Sequence, residues 1–233
     1  MNIIITGASS GIGYQTAKKF ALLNHSVIAI SRNKEKLAAL KNEITLLQPK
    51  AKIYTLSADI TKFTSTDLKR ITKIFQEVDI LINNAGRIKV APFEEFNLNE
   101  AQKIFDVNFF GAAAVIKYLL PHLLKATTSH VLNISSMGGF QGASKFAGLS
   151  FYSASKAALA NLTECLAEEY KNTNIVFNCL CLGAVETEML KEAFPNYQAP
   201  TTAEDMANYL VNFALNGSSF FKGKILPVSI STP

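Results

Sequence analysis

Tyr152 and Lys156 stand at positions i and i+4 of a stretch, 152–171, whose composition is helical. A helix there brings a phenol and an ammonium onto one face. The ordinary pKa of tyrosine is about 10, too high for a free base at neutrality, and an adjacent cation lowers it by stabilising the phenolate. Such a pair can move a proton, although the same spacing also produces plain surface contacts. Asn108 lies inside an apolar helical run, 101–124, where a buried amide must be hydrogen-bonded and is either a clamp or part of a polar site. Near the start, Thr6-Gly7-Ala8-Ser9-Ser10-Gly11-Ile12-Gly13 follows Ile3-Ile4-Ile5 and leads into a helical stretch. A glycine-rich turn between strand and helix lets the backbone approach a phosphate, which the helix N-terminus then attracts. Glycines in such a turn also serve packing alone.

These residues need elements to hold them. Short β-branched runs predict strands near 3–5, 27–30, 53–56, 80–82, 131–134, 176–181 and 225–228. Helical patterns fill 11–23, 34–47, 66–76, 99–125, 152–171 and 203–215. Strand–helix alternation of this kind predicts an α/β fold, a doubly wound parallel sheet of about seven strands with helices on both faces, in a single domain over residues 1–233. Ligands of such sheets bind beyond the carboxyl ends of the strands. Polar or small residues follow each expected strand: Ser31-Arg32-Asn33, Ala58-Asp59-Ile60, Asn83-Asn84-Ala85-Gly86, Ser135-Ser136-Met137-Gly138-Gly139 and Gly183-Ala184-Val185-Glu186-Thr187.

The totals narrow the function classes. Net charge is +5 and the pI about 9.0, but the basic residues are scattered. Their densest group, 34–52, alternates with Glu35 and Glu43 as a solvated helix face does, which argues against nucleic acid as a partner. Cys165, Cys179 and Cys181 have no metal-ligand spacing; Cys179 and Cys181 point one way along a strand, into the core. An odd, unpatterned cysteine count suits a reducing compartment. The start of the chain lacks the pattern of a secretory signal, and the longest apolar run, 109–116, is too short for a bilayer. A cytoplasmic protein with no membrane or metal partner is expected.

Taken together, Thr6 to Gly13, Asp59, Asn83 to Gly86, Asn108, Ser136, Tyr152-Ser153-Ala154-Ser155-Lys156 and Gly183 to Thr187 resemble, in order and approximate spacing, a short-chain dehydrogenase/reductase of the shorter, single-domain type. The resemblance covers nearly the whole chain and implies a Rossmann-like fold with a nicotinamide cofactor. It implies that Tyr152 is the proton donor, that Lys156 lowers its pKa and holds the nicotinamide ribose, and that Ser136 hydrogen-bonds the carbonyl oxygen. Asn108 is implied to anchor a water that passes protons to Lys156. Ser136 is preferred to Ser135 because the family's serine precedes a glycine by three positions, here Gly139. Gly7, Ser9, Ser10, Gly11, Ile12 and Gly13 are implied around the pyrophosphate, Asp59 and Ile60 at the adenine, Asn84, Ala85 and Gly86 at the adjoining ribose, and Val185 and Thr187 at the carboxamide. Asn83 is assigned to holding neighbouring strands together.

The chain departs from the family pattern in three places: Leu182 replaces a usual proline, the segment 140–150 is long, and the lid over 187–202 is short. Phe140, Phe146, Leu149, Phe151, Met189, Leu190 and Phe194 either line an apolar pocket or pack the loops. After the second strand, Ser31-Arg32-Asn33 stands where an acidic residue would repel a 2′-phosphate. Arg32 offers planar charged donors suited to phosphate, with Ser31 and Asn33 beside it, so NADPH is expected in preference to NADH; an exposed loop arginine is the other reading. The expected activity is an NADPH-dependent ketone or aldehyde reductase. Its alternatives are an alcohol dehydrogenase working oxidatively and a dinucleotide-binding regulator without turnover. The resemblance further implies a homo-oligomer, dimer or tetramer, through the helices near 99–125 and 152–171.

Overall fold

β-branched residues on both faces of a short run suit a strand covered from both sides. In the computed structural model, which describes residues 1–230, the chain runs through β1 (Asn2–Thr6), α1 (Gly11–Leu22), β2 (Ser26–Ser31), α2 (Lys34–Leu47), β3 (Ile53–Ser57) and α3 (Ser65–Thr72). It continues through β4 (Ile80–Asn83), α4 (Leu98–Phe105), α5 (Ala112–Leu123), β5 (Ser129–Ser136), α6 (Ser150–Glu169) and β6 (Ile175–Leu182). The last elements are β7 (Val185–Glu186), α7 (Glu188–Ala193), β8 (Thr201–Thr202), α8 (Ala203–Asn216) and β9 (Ile225–Val228). Seven strands form one parallel sheet in the order β3-β2-β1-β4-β5-β6-β9, and β7 pairs with β8 separately.

Successive side chains of β1 divide the core. Ile3 and Ile5 pack with Phe20, Leu40 and Leu210 on one side, and Ile4 packs with Ile28, Leu119 and Phe177 on the other. Full burial of such a side chain contributes about 1.5–3 kcal/mol. Strand order reverses between β1 and β4, so the loops leaving those two strands diverge and open a crevice between them.

The helix expected at 99–125 runs unbroken from Leu98 to Leu123 but changes type on the way. A π-helical turn at Asp106–Gly111 separates α4 from α5, and such turns occur where a side chain must be re-aimed. The whole run Leu98–Leu123 is long and apolar enough by composition to cross a membrane, which the reading of residues 109–116 alone missed; here Val115, Ile116, Leu119 and Leu123 pack into the core. α3 stops at Thr72, short of the expected 76, and the chain beyond it buries Phe75 and Val78. α6 begins at Ser150, two residues earlier than expected, which places Tyr152 and Lys156 in its opening turns.

Candidate active site

The crevice is fastened at its floor by one hydroxyl and one amide. Thr6 Oγ1 accepts the N–H groups of Asn84 and Ala85, each at 3.1 Å. Asn84 Nδ2 donates back to the carbonyls of Thr6 and Gly7, each at 3.2 Å. The exits of β1 and β4 are thereby held together where strand order reverses. Gly7 has φ 69°, and a Cβ on it would lie 2.6 Å from Ala85 Cα. A Cβ on Gly13 would collide with Asn84 Nδ2 and the Gly7 carbonyl. α1 then starts with an extended Ser10 that makes no side-chain cap, and its first turn carries no acidic residue. Its N-terminal donors are left to attract an anion.

A cleft of about 620 Å³ runs from this turn across the sheet edge. It gathers Gly7, Ser10, Gly11, Ile12, Ser31, Arg32, Asp59, Ile60, Asn84, Ala85, Gly86, Ser136, Tyr152, Lys156, Val185 and Thr187. The other expected site residues stand behind its wall. Ser9 Oγ accepts from Ser31 Oγ at 2.8 Å, Gly13 packs on the glycine turn, and Asn33 caps α2 by accepting the Lys36 N–H at 2.8 Å. Asn108 is fully buried. These four support lining residues and are not themselves on the cleft surface. Arg32 is exposed at the rim, without an acidic partner among the described residues. Asp59 Oδ1 accepts the N–H and hydroxyl of Thr61, at 3.0 and 2.8 Å, and so fixes the short turn that carries Ile60.

At the floor of the cleft, the Tyr152 hydroxyl is hydrogen-bonded to Ser136, whose Oγ also accepts the Gly138 N–H at 3.2 Å. Ser135 points the other way and donates to the Lys156 carbonyl at 2.8 Å, tying β5 to α6. Asn83 Nδ2 donates to Asn133 Oδ1 at 2.9 Å and joins β4 to β5. Lys156 Nζ donates to the Ile134 carbonyl at 2.8 Å and lies 6.0 Å from the centroid of the Tyr152 ring. Burial drives the Lys156 pKa down to about 8, so its proton is mobile near neutrality. Burial also pushes the Tyr152 phenol above its ordinary value, with the Ser136 hydrogen bond acting the other way. The sequence led to the opposite direction for Tyr152. The physical reason is burial of the phenol, which Lys156, donating to a strand carbonyl instead, does not offset.

Asn108 occupies the π-helical turn. Its Oδ1 accepts the Arg87 N–H at 2.7 Å, and Nδ2 donates to the Arg87 carbonyl and to Ser155 Oγ, both at 2.9 Å. Ser155 in turn donates to the Tyr152 carbonyl at 2.7 Å. Both amide hydrogens are engaged by protein, so the side chain is a clamp between the β4 exit and the first turn of α6.

The far end of the cleft is built from short elements. Thr187 caps α7 by accepting the Leu190 N–H at 3.2 Å, and Lys36 reaches across from α2 to both oxygens of Glu188, at 2.9 and 2.7 Å. Leu182, in the position of the usual proline, pairs with Val228 as the last residue of β6. Phe146, Leu149, Met189, Leu190 and Phe194 line the cleft. Phe140 instead packs against the cluster of Met137, Cys179 and Cys181, and Phe151 stacks between Phe93 and Phe96 with centroids 5.7 and 4.8 Å away. Ile88 and Tyr197 of the loops and Glu188 at the start of the six-residue α7 also line it and were not anticipated, because loops and so short a helix carry no periodic signal. Thr6, Arg87 and Ser155 were likewise missed as supports; a buried hydroxyl at a strand end was the available clue for Thr6. No cluster able to hold a metal ion occurs among the described residues.

The family model described as short chain dehydrogenase matches residues 1–198. An uncharacterized oxidoreductase of Staphylococcus epidermidis is 30% identical over 89% of this chain and 88% of its own. A fatty acyl-CoA reductase of Acinetobacter baylyi is 34% identical over 91% of this chain and 72% of its own. The crystal structure of a short chain dehydrogenase from Shigella flexneri, complexed with NADP, superposes with a TM-score of 0.87 at 29% identity, covering 97% of this chain and 95% of that one. The fold and the strand-end site define a dinucleotide-type α/β oxidoreductase. The chain belongs to the short-chain dehydrogenase/reductase family.

Proposed function

We propose that the protein is an NADPH-dependent reductase of ketones or aldehydes, with Ser136, Tyr152 and Lys156 as its catalytic residues and Asn108 as their clamp. The observation that carries this reading is convergence: the hydrogen-bonded Ser136–Tyr152 pair and the buried Lys156 lie on the same cleft as the uncapped N-terminus of α1 and the unpaired Arg32. The glycine turn, packed too closely on Ala85 for a Cβ at Gly7, leads into the uncapped N-terminus of α1, and its free N–H groups fit a dinucleotide pyrophosphate. Arg32, with Ser31, would hold a 2′-phosphate. The nicotinamide, when bound, supplies the hydride.

The remaining chemistry belongs to side chains. Ser136 and Tyr152 present hydroxyls to one point, where they polarise a carbonyl oxygen as it gains charge. Tyr152 gives that oxygen its proton. Lys156 stabilises the resulting phenolate, and its own lowered pKa lets it pass a proton on. Asn108 fixes α6 so that these groups keep register. Relatives support the reading: one is named a fatty acyl-CoA reductase and a solved neighbour is complexed with NADP. A homo-oligomer through α4, α5 and α6 is part of the same proposal; Leu98 and Phe110 stand exposed on that run. The test is NADPH oxidation across a panel of ketones, aldehydes and acyl thioesters. Carbonyl-dependent oxidation is expected, with slower turnover on NADH; none with any carbonyl would overturn the proposal.

A further inference from the structure

The cleft changes character along its length. Its charged lining side chains are Arg32, Asp59, Glu188 and Lys156. Arg32 and Asp59 follow β2 and β3 at the cofactor end, and Glu188 is held by Lys36 of α2. Lys156 is only 4% exposed and donates to the Ile134 carbonyl from beneath the floor. Beyond Ser136 and Tyr152 the walls are Phe146 and Leu149 on one side, and Met189, Leu190 and Phe194 of the lid on the other. Met189 reaches inward: its Cε and Lys156 Nζ both lie 3.6 Å from the point where a Cβ on Gly86 would sit. Of the cations nearest in the chain to this end, Lys145 donates to the Phe140 carbonyl at 2.6 Å, Arg87 pairs with Glu100 at 2.7 Å and Lys191 with Glu186 at 2.8 Å. Lys89, beside Ile88, is exposed and stands outside the cleft lining. A carboxylate or phosphate entering here loses hydration and meets no counter-charge. An apolar chain loses nothing and gains about fourfold in affinity per buried methylene.

We infer that the substrate is an uncharged carbonyl compound with an apolar chain on the reacting carbon, whether a free ketone or the ketone of a β-ketoacyl thioester, and not a keto acid or a sugar phosphate. This rests on the reductase reading above. In the reaction the carbonyl π bond breaks, its carbon gains hydride from NADPH and its oxygen gains a proton from Tyr152. The products are the alcohol and NADP⁺.

The test compares kcat/KM for a series of methyl alkyl ketones, the ω-carboxylate analogue of methyl hexyl ketone, and a β-ketoacyl thioester of N-acetylcysteamine. The expected result is a rise of about two- to fourfold per methylene in the neutral series, with the carboxylate analogue at least roughly tenfold poorer than its neutral parent. Turnover of the free ketones or of the thioester assigns the source, and either supports the inference. Phe194→Lys, or Phe146→Lys should the first variant fold poorly, is expected to favour the carboxylate analogue by about tenfold relative to the neutral ketone with the NADPH dissociation constant unchanged. A carboxylate analogue used as well as its neutral parent, or a neutral series flat in chain length, overturns the inference while leaving the reductase reading intact. NADPH binding without turnover of any carbonyl overturns both.

Discussion

The two ends of the cleft are held by different kinds of force. At the cofactor end, enclosed groups do the work: the side chains of Thr6 and Asn84 make four hydrogen bonds between the exits of β1 and β4, and Gly13 permits a contact that no side chain could share. At the substrate end, the two-residue strands β7 and β8, the single short helix α7 and the exposed Lys36–Glu188 and Lys191–Glu186 pairs hold the lid. Exposed pairs are each worth about 0.2–1 kcal/mol, whereas leaving one buried donor or acceptor unsatisfied costs about 1–3 kcal/mol. The rigid end fixes which reaction is run. The loosely held end is where a substrate can be chosen without disturbing it.

That contrast is sharpest at Tyr152, which belongs to the rigid end. Tyr152→Phe removes the proposed proton donor and keeps the ring, so kcat is expected to fall by about 10²–10⁴ with cofactor affinity unchanged. Steady-state kinetics beside a fluorescence titration of NADPH check both halves. A variant retaining more than about a tenth of wild-type kcat, with chemistry rate-limiting, would remove Tyr152 from its role.

Lys156 gives the next largest effect, read as stability. Burial lowers its pKa from 10.5 to about 8. Between those values the folded protein has released a proton that the unfolded chain still holds. The penalty of burying the charge is complete below the folded pKa and is relieved as pH rises towards the unfolded one, so stability rises through the window. Relative to Lys156→Met, which cannot titrate, the wild type should gain on the order of 3 kcal/mol across it. Urea unfolding of both proteins at stepped pH measures the difference; parallel curves would contradict a buried, perturbed Lys156.

Arg32 lies on the rigid end but reaches into solvent. Arg32→Ala is expected to reduce the NADPH-over-NADH preference by about 10- to 150-fold, the value of a charged hydrogen bond of roughly 1.5–3 kcal/mol, and to leave NADH affinity nearly untouched. Isothermal titration with both cofactors at moderate ionic strength decides it. Equal wild-type affinities would assign Arg32 to the surface.

Much of this division was legible in the residues. β1 and β9 announced themselves as short β-branched or apolar runs between turn signals, and α2 was bounded correctly by its composition between Asn33 and Gln48. The order of the cleft residues followed from strand ends alone. What escaped was geometry that depends on partners distant in sequence. The π-helical turn leaves no trace in a continuous apolar pattern, yet it aims Asn108 at Arg87 and Ser155. The direction of the Tyr152 shift follows from how deeply the phenol is buried, and spacing on a helix face does not state that. Ser9, Gly13 and Asn33 were expected at the cofactor but stand behind the cleft wall: Ser9 accepts from Ser31, Asn33 caps α2, and Gly13 leaves no room for a Cβ beside Asn84.

The smallest expected effect lies at the loose end. A double-mutant cycle of Lys36→Ala and Glu188→Gln should show coupling of no more than about fivefold in the NADPH dissociation rate, since the pair is exposed. Stopped-flow displacement measures it, and a coupling near a hundredfold would mean that the lid is bolted as firmly as the glycine turn.

The central claim is that a hydride passes from a nicotinamide to a carbonyl carbon seated between Ser136 and Tyr152. Mass spectrometry of the alcohol formed from an apolar ketone and NADPH, deuterated separately on each face of the nicotinamide ring, tests it most directly. The account predicts one deuterium on the carbinol carbon from one labelled face and none from the other, because a ring seated as proposed beside Val185 and Thr187, which line the cleft, would present a single face to the carbonyl. Alcohol formed without deuterium from either label would contradict it.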